Sequence, residues 1–324
     1  MKVVSTRLVS LAQRSVAAIE YVVEAIDEFT RVTVQSELVA NEDLPQTSGD
    51  PRVAAVLDNP LEAVEQDSSE RRAMLMHRTR ASGLMMSAVM DHEIDVPGRV
   101  EFDTETRPDL ARTTVICGLR PGQRLRIVKY LAYGWSSLRS RPALRDQAVA
   151  ALTSARYSGW QGLLDAQRKY LDEFWDSADV EVEGDPVIQQ AVRFGLFHIL
   201  QASARAEVRA IPGKGLTGSG YDGHAFWDTE GFVLPVLTYT APHAAADALR
   251  WRAATLDLAR ERAAVLDLQG AAFPWRTIRG QECSGTGRPA RRPFTSTPTS
   301  QRRSSATASS PATSRWRKSA AWRC

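Results

Sequence analysis

Two short stretches of this chain carry most of the side chains able to do chemistry. The first, Gly215–Pro242, reads GLTGSGYDGHAFWDTEGFVLPVLTYTAP and holds His224, Trp227, Asp228 and Glu230 close together. The second, Ala271–Glu282, reads AAFPWRTIRGQE and holds Trp275, Arg276 and Glu282. A carboxyl group can hand over a proton if its surroundings keep it protonated, and an apolar neighbour such as Trp275 favours that state for Glu282 by disfavouring the charge. Plainer roles compete at each position. Trp227 can be a core aromatic, Asp228 or Glu230 a helix-start charge satisfying free N–H groups, Glu282 a loop carboxylate, and His224 a packed, hydrogen-bonded histidine.

Other chemistries are excluded by spacing. The five histidines and three cysteines (Cys117, Cys283, Cys324) are scattered, with no HExxH and no paired CxxC, so neither a metal site nor a disulfide framework is expected. The glycine-rich run KGLTGSGYDG lacks GxxxxGK[ST] order and follows no βαβ strand, which argues against a phosphate loop.

The elements that must position these residues change character along the chain. Residues 1–135 read as β-rich: Val3–Val9, Ala18–Val23, Arg31–Leu38, Thr113–Cys117 and Leu125–Tyr133 mix β-branched and apolar residues with charges at alternating or near-alternating positions, with turn chemistry at Asn41-Glu42-Asp43 and Pro121-Gly122. Several short strands of this kind predict an antiparallel sandwich, and a first strand starting almost at Met1 suggests that part of it lies outside this sequence. Residues 141–175 switch to helical period, with Leu144, Ala148, Ala151 and Leu152 on one face and Trp160, Leu163, Leu164, Tyr170, Leu171, Phe174 and Trp175 on another, so a helical linker of two helices is expected over 136–180. Asp185 and Pro186 then announce a helix over Val187–Ala204 that is apolar on most sides and predicted to lie inside a layer of helices. A second long helix is predicted from about Pro242 to Leu268, stopping at Gly270.

With 324 residues and 43% apolar content the chain is able to bury a sizeable core. No stretch is apolar for as long as a membrane span, and Arg7, Gln13 and Arg14 interrupt any signal-peptide core, so a soluble, cytoplasmic protein with no membrane partner is expected. The net charge of +3 is unevenly spread. Residues 286–324 hold nine Lys/Arg and no Asp or Glu, which leaves the remainder at −6. That tail also lacks Val, Ile, Leu and Met, so it is expected to be disordered rather than a nucleic-acid arm. Back-translated with GC-rich codons and read one nucleotide out of phase, it yields an amphipathic text containing WPAGTAAFHIN. A change of reading frame just after Gly285 is therefore expected.

The pair of stretches above, in that order, resembles glycoside hydrolase family 65, which holds maltose, trehalose and kojibiose phosphorylases and acid trehalases. The resemblance covers about residues 1–285 and is supported by the out-of-phase text. It implies a multidomain β + α fold: an antiparallel β-sandwich, present in part over 1–135, a helical linker over 136–180, and the first part of an (α/α)6 barrel over 181–285. It also implies an inverting α-glucoside phosphorylase that releases β-glucose 1-phosphate, with Glu282 as general acid and inorganic phosphate as co-substrate rather than a cofactor. Trp227, Asp228 and Glu230 match a glucose-binding subsite, and Trp275 and Arg276 shape the pocket; Arg276 stands where similar maltose phosphorylases carry Glu, which leaves the α-linked disaccharide open. The family holds phosphate with residues this chain does not contain, so the form in hand is expected to be inactive. Relatives are often homodimers. A family 65 hydrolase of the acid trehalase kind and a non-catalytic carbohydrate-binding or basic-tailed interaction protein remain as alternatives.

Overall fold

A computed structural model describes residues 1–42, 59–203, 208–216 and 220–284. Asp43, Ala204, residues 217–219 of the glycine-rich run, and the whole basic tail with its expected disorder and frame change lie outside the described residues.

Nine strands precede the first helix: β1 (Lys2–Val9), β2 (Val16–Glu24), β3 (Thr30–Val39), β4 (Leu61–Ser69), β5 (Arg72–Thr79), β6 (Met85–Asp95), β7 (Val100–Arg107), β8 (Leu110–Leu119) and β9 (Arg124–Ser136). They form two antiparallel sheets, one of six strands in the order β1-β2-β9-β6-β5-β4 and one of three in the order β3-β8-β7. The sandwich follows from period-2 patterning. In β8, Ala111, Thr113, Val115, Cys117 and Leu119 are all buried while the residues between them are not. β9 is covered on both faces: Leu125 and Ile127 pack with Val32 and Val115 of the smaller sheet, whereas Val128, Tyr130 and Ala132 pack with Ala148, Leu152 and Leu163 of the following helix. One layer of the sandwich therefore has a helical cover rather than further strands.

That cover is α1 (Arg141–Ala178), opened by Ser140, whose hydroxyl accepts from the Ala143 N–H, and broken at Gly159, where φ is 66° and ψ 173°. The two apolar faces expected from the sequence fall on its two halves. Arg156 reaches back to the buried Asp91 of β6 at 2.7 Å, and Gln167 accepts from the Leu11 N–H, so the helix is tied to the sheet by polar contacts as well as by packing.

The rest is helical. α2 (Pro186–Ser203) begins as expected, with Asp185 Oδ1 accepting from the N–H groups of Val187 and Ile188 at 2.9 and 3.1 Å. Its apolar surface is only partly covered: Leu200 and Ser203 are buried, while Val187, Ile188 and Phe194 are exposed. The expectation of a helix enclosed within a layer is thus not met among the described residues. A one-turn π-helix (Thr229–Val233) runs into α3 (Leu234–Thr240). The second long helix is two, α4 (Pro242–Ala254) and α5 (Leu256–Val265). The break falls at Thr255, whose hydroxyl donates to the Arg252 carbonyl at 2.8 Å and so competes with the helical ladder. Leu234, Leu237, Ala245 and Ala248 form the small core that joins α3 and α4 to Ile211.

Candidate functional site

The two sequence stretches meet through a two-stranded ladder too short to read from pattern alone. β10 (Ala225–Phe226) pairs antiparallel with β11 (Arg276–Thr277), Phe226 opposite Arg276 and Ala225 opposite Thr277. Ala225 and Thr277 point inward and are fully buried, which sends Phe226 and Arg276 to the other side. Two contacts hold the ladder in place. Gly213 donates to the His224 carbonyl at 2.9 Å, and a Cβ at Gly213 would lie 2.9 Å from the Phe226 ring, so only glycine lets this loop approach so closely. Cys283 N–H donates to the Arg276 carbonyl at 2.8 Å and turns the chain back along β11.

This pairing gathers the aromatic rings. Trp227 and Trp275 lie 6.5 Å apart between centroids, Phe226 and Trp275 6.3 Å, and Tyr221 and Phe226 5.2 Å. Trp275 is half exposed, so the cluster presents an aromatic face to solvent rather than closing into a core. Arg276 crosses above Phe226 and donates through Nη2 to Asp222 Oδ2 at 3.1 Å and to the Tyr221 carbonyl at 3.4 Å, with His224 Nδ1 3.1 Å away. His224 is thereby packed between a carbonyl and a guanidinium.

Glu282 closes the loop that carries the second tryptophan. Its Oε2 accepts from the Trp275 N–H at 2.8 Å; its Oε1 accepts from the N–H groups of Arg276 at 3.2 Å and Ser284 at 3.1 Å. Arg262 Nη2 stands 2.9 Å from Oε2. The expectation that Trp275 raises the pKa of this group is overturned. Partial burial does push it up, but the N–H of Trp275, the hydroxyl and N–H of Ser284 and the N–H of Arg276 all favour the charge and together hold the carboxyl below its ordinary value. Trp275 acts on Glu282 through its backbone, not as an apolar lid.

Glu230 and Asp228 divide differently. Glu230 Oε1 accepts from Arg252 Nε at 2.6 Å, and Arg252 in turn stacks over Trp251 and Phe273. Glu230 is therefore committed to an ion pair with α4 and anchors the segment after β10. Asp228 precedes the π-helix, is exposed, and makes no side-chain capping bond, so the helix-start role considered for it does not hold.

A family model for the glycosyl hydrolase family 65 N-terminal domain matches residues 1–174, more than half the chain, and a model for the family 65 central catalytic domain matches residues 193–308. The chain belongs to glycosyl hydrolase family 65. An uncharacterized glycosyl hydrolase of Mycobacterium tuberculosis is 83% identical over 284 residues, covering 88% of this chain and 36% of the relative. An alpha,alpha-trehalose phosphorylase of Thermoanaerobacter brockii is 30% identical over 279 residues, covering 86% and 36%. A solved structure, assigned as a kojibiose phosphorylase from the human microbiome, superposes with a TM-score of 0.77 at 25% identity over 86% of this chain and 36% of its own. This family 65 chain thus spans about a third of the length of the relatives it matches. The antiparallel sandwich with helices is shared with that structure. The central catalytic match runs to residue 308, beyond the position where a change of frame is expected.

Of the residues singled out from sequence, Trp227, Trp275, Arg276 and Glu282 are brought together, Glu230 is turned to a helix, and Asp228 stays open to solvent. Sequence reading missed three residues that pair with these side chains: Asp222 with Arg276, Arg252 with Glu230 and Arg262 with Glu282. The arginines had a readable signal. α4 and α5 are alanine-rich on their covered sides, and a guanidinium there must find a partner to be tolerated.

Proposed function

We propose that residues 186–284 are the opening segment of an (α/α)6 barrel that binds the glucose unit of an α-linked disaccharide. The observation that carries this reading is the β10–β11 ladder, which sets two tryptophan rings 6.5 Å apart beside a fixed carboxylate. Indole faces suit the C–H surface of a sugar ring, and the exposed Asp228 suits its paired hydroxyls. The exposed faces at Phe194, Phe232, Tyr239 and Val265 are the surfaces that further helices of such a ring would cover. Relatives named as trehalose and kojibiose phosphorylases support phosphorolysis as the chemistry of the complete barrel.

In that chemistry Glu282 protonates the glycosidic oxygen while a phosphate oxygen attacks the anomeric carbon from the opposite face. The α-linked bond breaks, the sugar leaves as an alcohol, and β-glucose 1-phosphate forms with inversion. Glu282 as it stands is a carboxylate held by amide donors, so it must take up a proton and leave part of that clamp first. The chain in hand is accordingly a sugar binder without turnover. The test is titration of the purified chain with trehalose, kojibiose and maltose, read by tryptophan fluorescence, alongside an assay for glucose 1-phosphate released with inorganic phosphate. Saturable binding that is weakened at least tenfold by Trp227→Ala, with no product formed, is the expected outcome. A folded chain that binds none of the three sugars overturns the assignment.

A further inference from the structure

Arg262 stands in the last turn of α5 and touches the acid-bearing loop at both ends. Its Nη1 donates to the carbonyls of Phe273 at 2.9 Å and Ala272 at 3.3 Å, where the loop leaves the helices. Its Nη2 meets Glu282 Oε2 at 2.9 Å, where the loop returns. The Ala272 N–H adds a bond to the Ala259 carbonyl of the same helix at 2.8 Å. Both charged groups are about four-fifths covered, 23% and 21% exposed, so their attraction is poorly screened by water.

The other charged groups nearby do not share this task. The Arg276 guanidinium is directed to Asp222 and His224, and Arg276 reaches Glu282 only through its backbone N–H. Trp275 and Ser284 contribute neutral donors. Arg252, at the end of the preceding helix, is taken up by Glu230. Among the described residues, Arg262 is the side-chain cation paired with Glu282.

We propose that Arg262 is a positioning residue that clamps Glu282 closed against β11 and adds its cation to the amide donors there, so that proton donation from Glu282 requires this ion pair to open. The proposal rests on the reading of Glu282 as proton donor and adds a gate to it: the helix that carries Arg262 decides when the carboxyl is free to load a proton. A glycosidic oxygen can only accept, so it bonds Glu282 only once that carboxyl carries a proton, and a bound sugar therefore favours the protonated form over the ion pair with Arg262. Opening the pair removes the cation that supplements the donors of Trp275, Arg276 and Ser284 and so shifts the balance toward burial, which raises the proton affinity. Arginine suits the role because its planar fork serves two carbonyls and a carboxylate at once, which a lysine ammonium does not.

The experiment is a pH titration of the Glu282 carboxyl in the whole chain, followed by carbon-detected NMR with labelled glutamate and assigned through Glu282→Gln. No sugar is present. The midpoint is expected to rise in Arg262→Met and to return toward the wild-type value in Arg262→Lys, which keeps the charge but not the fork. A simple loop pin predicts otherwise, since both variants then loosen the loop equally and the lysine rescues nothing. An unmoved midpoint in folded Arg262→Met overturns the proposal. If that variant does not fold, the midpoint is measured in Arg262→Gln, which keeps neutral donors for the loop carbonyls without the charge; an unmoved midpoint there overturns the proposal in the same way. Sugar affinity is measured separately. Failure of every α-glucoside to bind removes the functional reading while leaving the Arg262–Glu282 titration standing, and the reverse result removes only the gate.

Discussion

Gly280 is the position at which the site loop is most tightly constrained by space, and replacing it with alanine tests why. Its φ of 104° lies where side chains are disfavoured. A Cβ there would sit 2.8 Å from Thr255 Cγ2 and 2.9 Å from both Leu258 Cδ1 and Thr255 Cβ. Thr255 cannot yield by rotating, since it is 5% exposed and its hydroxyl is held by the Arg252 carbonyl. The backbone penalty is about 1–3 kcal/mol for a non-glycine residue in such a region. Forced overpacking against a fixed neighbour adds about 1–3 kcal/mol. Gly280→Ala is therefore expected to cost about 2–6 kcal/mol, a large part of the ~5–15 kcal/mol typical of a folded domain. Gly270→Ala is the control, because φ is 85° there but nothing lies within 4 Å of the added carbon. It is expected to cost only about 1–2 kcal/mol of backbone strain. Urea unfolding followed by far-ultraviolet circular dichroism gives both values, and hydrogen exchange at the Trp275 amide reports whether the loss is local to the loop. If the two variants prove equally stable, the close approach of Gly280 to Thr255 is not what holds this loop, and the packing argument fails.

Removing the cap of α2 by Asp185→Ala leaves two N–H groups without their acceptor and is expected to cost about 1 kcal/mol in thermal or urea unfolding, whereas Asp185→Asn stays near wild type. His92 supplies a pH dependence of known sign. Burial between the sheets holds its pKa down at about 4, against about 6.5 when unfolded, so the unfolded chain binds the proton more tightly. The stability this represents is complete above pH ~6.5 and is lost as pH falls toward ~4, on the order of 3 kcal/mol in all, and His92→Gln is expected to flatten the unfolding free energy across that window.

The sandwich was legible where apolar residues alternate or run through a strand of β-branched composition. β8 alternates without exception, and β2, β3 and β9 lie within a few residues of their expected places. β7, VEFDTETR, was not picked out because it lies at the edge of the smaller sheet, where most of its positions are partly or wholly exposed and the apolar contrast is weak. The helix after Asp185 was legible from its cap, which is a local bond between neighbours. The break at Thr255 was not, because the apolar period continues through it and what interrupts the helix is one hydroxyl and the approach of Gly280 from 25 residues away in sequence.

The site shows the same division between residue type and surroundings. Which side chains gather could be read from the two stretches, since β10 and β11 join the segments that the sequence had already marked. Which way Glu282 titrates could not. An indole seven residues away in sequence suggests a dry pocket and a protonated acid, yet the peptide unit of that same Trp275 donates to the carboxylate and pulls the balance toward charge. Three such amides need the backbone geometry of a specific turn, and the cation that completes them comes from α5, twenty residues upstream. A carboxylate so held is stable at neutral pH and a poor acid. If Glu282 is the proton donor proposed above, its chemistry depends on an event that loosens the loop from α5, because the amides and Arg262 together favour the charged, closed form.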